Sequence, residues 1–566
     1  MVVGASAAAI AFLFQELVNW LQFVFFEQGQ SILGFMGDYW VIIIPALGGL
    51  IVGPLVYFFA REAGGHGVPE VMAAVALRSG RIRPRILAVK SLAAAITIGS
   101  GGSAGLIGPI VYVSSAAGST IGQRLVLPSD WIKTLVASGA AAGISASFNA
   151  PLAGIFFAME VILRRYESRA FGVVVLSSVV ASAITQRLVS DAPAFLVPTY
   201  KIVSSWEFLF YLVLGVLAAI TAHIFVTVFF GTEDLFKRIR IVPPYMLPAL
   251  GGLIVGVIGL GYPEVFGVGY EVIDVFAKPF GAVDGALVGS LGTSLLAALV
   301  VFKIIATSIT LGSGGSGGVF APSLFIGAML GGLFGVGVNQ LFPDITAPSG
   351  AYAVIGMAAV FAGAARAPAT AIIILFEMTR DYQIILPVMA AVVVAVVVAQ
   401  ALRKESIYTF KLYRRGLDID GAVHEDVLDA VHVRDVMTRE FPTVRPDMTV
   451  TDLTHLFAET GHHGFPVVDE DGELAGVVTM TDLQKVGEEG HTRVDDIATH
   501  NVIVVYEDQT LHDALARFGG QDVGRIPVVT RTNPRQLVGV LRRHDIIKAY
   551  ARQISTTLAQ RKALSG

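Results

Sequence analysis

Two glycine-rich stretches, GSGGSAGLIGP at residues 99–109 and GSGGSGGVFAP at 312–322, interrupt apolar sequence 213 positions apart. Glycine lets a chain turn sharply and brings bare backbone close to a ligand. A proline at the end of each stretch suits the first turn of a helix, where no amide is needed. Each stretch is therefore expected to open a helix. A helix N-terminus presents unpaired N–H groups and about half a positive charge, so two of them meeting would cradle an anion without a fixed cation. Weak partial charges also suit an ion that has to leave again. Glycines that serve only close helix packing are the competing reading, but packing alone does not account for a proline at the same place in both copies.

The flanking sequence makes this a membrane question. Of 566 residues, 54% are hydrophobic and only 15% charged, far from the average of soluble domains. Apolar segments recur around 5–26, 40–60, 86–99, 108–125, 131–163, 171–190, 206–230, 245–261, 284–311, 318–341 and 351–402. Several fall short of the roughly 20 residues that span a hydrocarbon core. Broken helices are expected, since irregular backbone survives at membrane depth only where protein or a cavity surrounds it. Cysteine is absent, which removes disulfide and thiolate chemistry. The first residues, MVVGASAAAIAFLF, show no basic n-region or clear cleavage site, so the first segment is expected to be retained.

A second match sits downstream of the first. FNAPLAGIFFAME at 148–160 corresponds to ARAPATAIIILFE at 365–377, with Pro151 and Pro368, and Glu160 and Glu377, each 217 apart. Two matches at nearly one offset indicate a duplicated membrane half, about 5–190 and 205–402. Such repeats commonly have inverted topology, with the substrate site at their interface. Basic runs at 78–85, 164–169, 236–240 and 403–415 are expected to face the cytoplasm. The soluble remainder, 416–566, then lies there too. It holds its own repeat, about 433–488 and 494–550, each unit reading as helix, strand, strand, helix.

These motifs together resemble the chloride channel and transporter (CLC) family over nearly all of residues 5–415. GHGVPEV at 65–71, GLIGP and GGVFAP are similar to its three anion-path motifs, and Tyr408 in ESIYTF falls at its anion-coordinating tyrosine. The resemblance implies an all-α polytopic membrane protein with inverted repeats, and a homodimer whose subunits each carry a path for chloride and other small anions. The anion site it implies comprises His66, Gly105, Leu106, Ile107, Gly108, Gly318, Val319, Phe320 and Tyr408. Its central position would use the amides of Val319 and Phe320, the Tyr408 hydroxyl and the residue at position 66, His66.

Three departures from the family pattern shape the expected activity. Ile107 stands where the family carries its gating glutamate, and Val161 where exchangers carry the inner proton glutamate. Coupled exchange needs titratable groups along a proton route, and buried acids are costly enough that their loss carries meaning. A passive, chloride-selective channel is therefore the first reading, and a proton-coupled antiporter or a sensor with a vestigial pore the alternatives. Glu160, next to Val161, keeps an acid nearby. The third departure is His66, where the family has serine or proline. Its imidazole would donate to an anion and respond to pH, or else would bond a carbonyl at a helix end.

The soluble repeat resembles a tandem pair of cystathionine-β-synthase-type (CBS) domains, with a T-x-x-D signature that holds an adenine nucleotide in such pairs. Thr479 and Asp482 match it; the second copy keeps Asp545 but has Arg542 in place of the hydroxyl. A dimerisation platform with an empty cleft is the competing reading. No HExxH or metal-ligand spacing marks an enzyme, and no nucleic-acid partner is expected. The resemblance places the chain in the plasma (inner) membrane, with the CBS pair in the cytoplasm.

Overall fold

A computed structural model describes residues 1–166, 168–188, 202–270, 272–273, 292–415, 417, 431–486, 492–519 and 524–549. The chain divides into two compact units, Met1–Ile419 and Asp420–Gly566. Among the described residues the first unit is helical, and 7 of its helices are long and apolar enough to cross a membrane. Five shorter apolar helices accompany them: Val68–Leu77, Ile86–Gly99, Pro151–Leu163, Ser349–Ala365 and Pro368–Thr379.

Two long apolar segments of the sequence are broken, at equivalent places. The 131–163 segment forms helix Ser129–Phe148, which ends on Asn149 in the left-handed region at φ 53°, and the chain restarts at Pro151. Likewise Ser349–Ala365 ends on Arg366 at φ 59°, and Pro368 opens the next helix. A proline disfavours helical backbone in the residue before it, and its missing N–H is harmless at a helix start. Ala150 and Ala367 accordingly sit outside the helical region, at φ −124° and −129°. The Ala-Pro pair thus turns each segment without leaving an amide stranded.

The halves grip each other reciprocally, as an internal two-fold requires. Glu160 accepts from the amides of Ala369 and Thr370 at 3.1 and 2.8 Å and from the Thr370 hydroxyl at 2.7 Å. Glu377 accepts from the amides of Leu152 and Ala153 at 2.9 and 2.7 Å. Each carboxylate therefore caps the short helix of the other half, satisfying donors that a helix start leaves open. Nearer the centre, Thr97 Oγ1 accepts from the Ser316 amide and Thr310 Oγ1 from the Ser103 amide, at 3.2 and 3.1 Å. Within each half the helix after a glycine-rich stretch packs very closely on the next. A Cβ on Gly331 would lie 2.0 Å from the Tyr352 carbonyl oxygen, and one on Gly118 2.2 Å from that of Leu135.

The second unit contains two small α/β layers. Helix Val450–Thr460, capped by the Thr449 hydroxyl, covers the antiparallel pair Gly464–Val468 and Leu474–Thr479. Its core is Val444, Leu453, Phe457, Phe465, Val467, Val478 and Val494. The other copy pairs Arg525–Val529 with Leu537–Arg542 and adds a short strand, Val505–Tyr506, parallel to the first. This strand departs from the expected helix-strand-strand-helix order: Val505 and Val528 are both fully buried in the core beneath helix Leu511–Gly519. Alternation at period two is too brief over two residues to be read from sequence.

Candidate functional site: an anion path where three glycine-rich stretches meet

The glycine stretches come together through backbone hydrogen bonds. Gly105 and Gly318 exchange a reciprocal pair, each 2.8 Å, and Gly65 donates to Gly315 O at 3.0 Å while accepting from Gly317 N at 3.3 Å. Helices Ile107–Arg124 and Phe320–Leu341 begin two residues beyond the Gly105–Gly318 pair. Val68–Leu77 begins three beyond Gly65, after Gly67 turns the chain at φ 80°. In the first two helices the earliest intrahelical bonds run from Ile110 N to Leu106 O and from Ser323 N to Val319 O. The amides of Ile107, Gly108, Phe320 and Ala321 precede them, and Pro109 and Pro322 carry none. Two positive helix ends therefore face one small region.

That region has no room for side chains on its backbone. A Cβ on Gly318 would stand 2.7 Å from Gly108 N and 3.0 Å from Gly105 O. On Gly108 it would stand 2.6 Å from the His66 carbonyl oxygen and 2.8 Å from Gly318 Cα. Leu106, Ile107, Val319 and Phe320 are all buried beside it. The nine expected anion-path residues thus fall into one neighbourhood except for Tyr408, which arrives from helix Ile407–Tyr413 near the end of the unit. Ser406 fixes that helix with a capping box, and the Tyr408 ring lies 6.0 Å from the His66 ring.

His66 is the most telling side chain here. It is 1% exposed, and among the described residues neither ring nitrogen has a hydrogen-bond partner. Its ring lies against Phe229 at 5.5 Å and near Tyr408. Had the imidazole served only to hold a helix-end carbonyl, that bond would be present. Burying an unpaired imidazole is costly, and this ring keeps a donor free for a ligand that reaches it.

Charge around the path was not apparent from the motifs. Lys90, fully buried, donates to the carbonyls of Ala63 and Gly65 at 2.9 and 2.6 Å and so tightens the loop that carries His66. Its repeat counterpart Lys303 donates to Val265 O and Gly267 O at 3.0 and 3.1 Å. The two lysines share the 213-residue offset of the glycine stretches, the signal that could have exposed them. Glu70 Oε1 bridges Lys411 and Arg415, both at 3.1 Å. Lys90, Lys411 and Arg415, with Glu70 among them, are the charged groups that pack on the loop carrying His66 and its helix.

Ile107 is buried at the head of its helix, and Val161 is 4% exposed. Both oxygens of Glu160 are engaged by the opposite helix start. In the second unit, Thr479 donates from Nα and Oγ1 to Asp482 Oδ2 at 3.0 and 2.6 Å, so these two expected nucleotide residues do lie together. Asp545 instead takes a two-pronged ion pair from Arg542, at 2.8 and 2.9 Å.

Comparison with known proteins gives the following matches. Residues 48–400 match the model of the voltage gated chloride channel family, and 433–489 and 494–552 each match the CBS domain. A relative from Klebsiella pneumoniae, described as an H(+)/Cl(-) exchange transporter, is 33% identical over 73% of this chain and 87% of its own. Chloride channel protein CLC-f of Arabidopsis thaliana is 29% identical over 91% of this chain and 74% of its own. Among solved structures, a slow cyanobacterial Cl-/H+ antiporter superposes with a TM-score of 0.66 at 26% identity, over 73% of this chain and 96% of that one.

Proposed function

Because this chain belongs to the voltage gated chloride channel family and carries two CBS domains behind its membrane part, we propose that it moves chloride along the junction just described. The observation that carries this reading is the Gly105–Gly318 backbone pair with a helix N-terminus opening on either side. A homodimer, residence in the plasma membrane and a cytoplasmic CBS pair belong to the same proposal. Outward apolar side chains such as Leu176, Val179, Met389 and Val393 suit contact with lipid or a second copy. The nucleotide reading of the CBS pair is likewise a proposal, supported by the Thr479–Asp482 arrangement.

On proton coupling, the relatives and the side chains pull apart. Relatives and a solved structure described as chloride/proton exchangers favour the antiporter, and as comparisons they support it better than the passive channel. Passive conduction is supported by two side chains only, Ile107 and Val161, which cannot carry a proton. The Glu160 carboxylate adds little to exchange at that position, because it is committed to Ala369 and Thr370.

Reconstitution in liposomes tests both levels. Chloride-loaded vesicles are expected to release chloride once potassium is shunted; no release ends the transport reading altogether. Under the same potassium shunt, uphill proton movement driven by the chloride gradient in a fixed ratio establishes the antiporter. A flat proton trace beside sustained chloride flux establishes the channel.

His66 gives a further expected result. His66→Phe keeps a ring against Phe229 and Tyr408 but offers no donor, so chloride affinity is expected to fall by about tenfold, the worth of one hydrogen bond to a charged group. His66→Ser supplies a hydroxyl and is expected to keep most of the affinity. Isotope-exchange or calorimetric titration of chloride measures both, and equal affinities for wild type and His66→Phe would remove the imidazole from the path.

A further inference from the structure

The left-handed residues that close the two equivalent turns, Asn149 and Arg366, lie 217 positions apart and differ in what they hold. Asparagine is enriched in that backbone region. Asn149 Oδ1 accepts from Ser182 Oγ and Gln186 Nε2 of helix Ser168–Leu188, at 2.7 and 2.9 Å. Arginine has no such backbone preference, so its presence at 366 calls for another reason. Its guanidinium donates to three carbonyls near the end of helix Ile385–Leu402: Val396 O at 3.4 Å, Ala399 O at 2.5 Å and Arg403 O at 2.9 Å. A cation there serves carbonyls that a helix end leaves open and meets its negative dipole.

The two helices held in this way have different sequels. Ser168–Leu188 leads to none of the nine anion-path residues, whereas Tyr408 follows Leu402 by six positions. Arg403 carries the chain out of its helix in extended backbone, φ −154°, and Ser406 caps the next. Arg403 is fixed twice. Its carbonyl is taken by Arg366, while its guanidinium lies 4.4 Å over the Phe410 ring and donates to Thr227 Oγ1 at 3.3 Å. Phe410 stands two residues beyond Tyr408 on the same short helix. Arg366 itself follows helix Ser349–Ala365, whose Phe361 ring lies 4.2 Å from that of Phe320. One side chain therefore joins the helix behind Phe320 to the bend that delivers Tyr408. We propose that Arg366 is a positioning residue for anion binding, which sets the Tyr408 hydroxyl relative to the Phe320 amide. This rests on the reading of those two groups as anion donors and supplies what holds them in register. Hydrogen bonds weaken steeply as their geometry departs from the line, so a displaced bend lowers affinity with every donor still present. The copies differ at this turn because only the second half has a donor to place beyond it.

Calorimetric titration of chloride into the purified full-length protein, with thermal unfolding alongside, tests the proposal. Tyr408→Phe is expected to weaken chloride binding by about tenfold, the worth of one hydrogen bond to a charged ligand. Arg366→Ala is expected to weaken it by a similar factor. The double variant should bind no more weakly than Tyr408→Phe alone, since a donor already removed cannot be misplaced. Arg366→Lys keeps the charge without the planar fork and is expected to recover part of the affinity. Asn149→Ala loses the bonds of the equivalent turn and should unfold earlier, yet bind chloride as the wild type does. Wild-type affinity in Arg366→Ala, the full product of both losses in the double variant, or an equal loss in Asn149→Ala overturns the proposal. If Arg366→Ala does not fold, Arg366→Lys with and without Tyr408→Phe makes the same comparison, and its loss must vanish when the hydroxyl is gone. Wild-type affinity in Tyr408→Phe removes the tyrosine from the anion path and this proposal with it. A loss in Tyr408→Phe with none in Arg366→Ala removes the proposal alone.

Discussion

Gly318→Ala is expected to cut chloride flux from reconstituted vesicles by about tenfold or more, the consequence of losing even one backbone donor to a charged ligand. The added Cβ would sit 2.7 Å from Gly108 N and 3.0 Å from Gly105 O, both backbone atoms that cannot rotate aside. Relief requires the Gly105–Gly318 hydrogen-bond pair to open, which separates the starts of helices Ile107–Arg124 and Phe320–Leu341. Gly337→Ala in the latter helix is the control, because nothing lies within 4 Å of a Cβ there. Wild-type flux in Gly318→Ala would move the anion path away from this junction.

Removing the reciprocal caps is expected to cost stability and not selectivity. Glu160→Ala strands the amides of Ala369 and Thr370 together with the Thr370 hydroxyl; Glu377→Ala strands only the amides of Leu152 and Ala153. Loss of a cap or of a partner for a buried donor costs about 1–3 kcal/mol. Both variants should therefore unfold earlier on heating in detergent, Glu160→Ala the more so. Anion selectivity in whatever protein survives reconstitution should be unchanged, since neither carboxylate touches the glycine junction. If Glu160→Ala unfolded like the wild type and instead altered proton movement, Glu160 would belong to a proton route and not to the helix caps.

Much of the membrane fold was legible because its causes are local. Proline suits the first turn of a helix, and those at 109, 151, 322 and 368 all lie in the first three residues of one. The offset between copies exposed the duplication, and from it the meeting of two helix starts. Where local signals ran through without a break, the reading was coarser. The 131–163 and 351–402 segments read as continuous apolar runs, although the Ala-Pro pairs inside them mark the turns. Nothing in the motifs announced Lys411, whose partner Glu70 lies 341 positions away.

The sequence by itself determined that this is a duplicated, helix-broken membrane protein with a CBS pair, and that positions 107 and 161 carry Ile and Val. Those properties depend on residue type, spacing and the backbone preferences of glycine and proline, all of which act within a few residues. Only the tertiary structure decided which groups are left without partners. His66 could have bonded a carbonyl and, among the described residues, does not; Glu160 could have stood free and is held; Asp545 matches Asp482 in sequence yet is closed by Arg542. Hydrogen-bond satisfaction is settled by what packs against a group from distant parts of the chain, and a buried donor's free energy changes sign with the presence of a single acceptor.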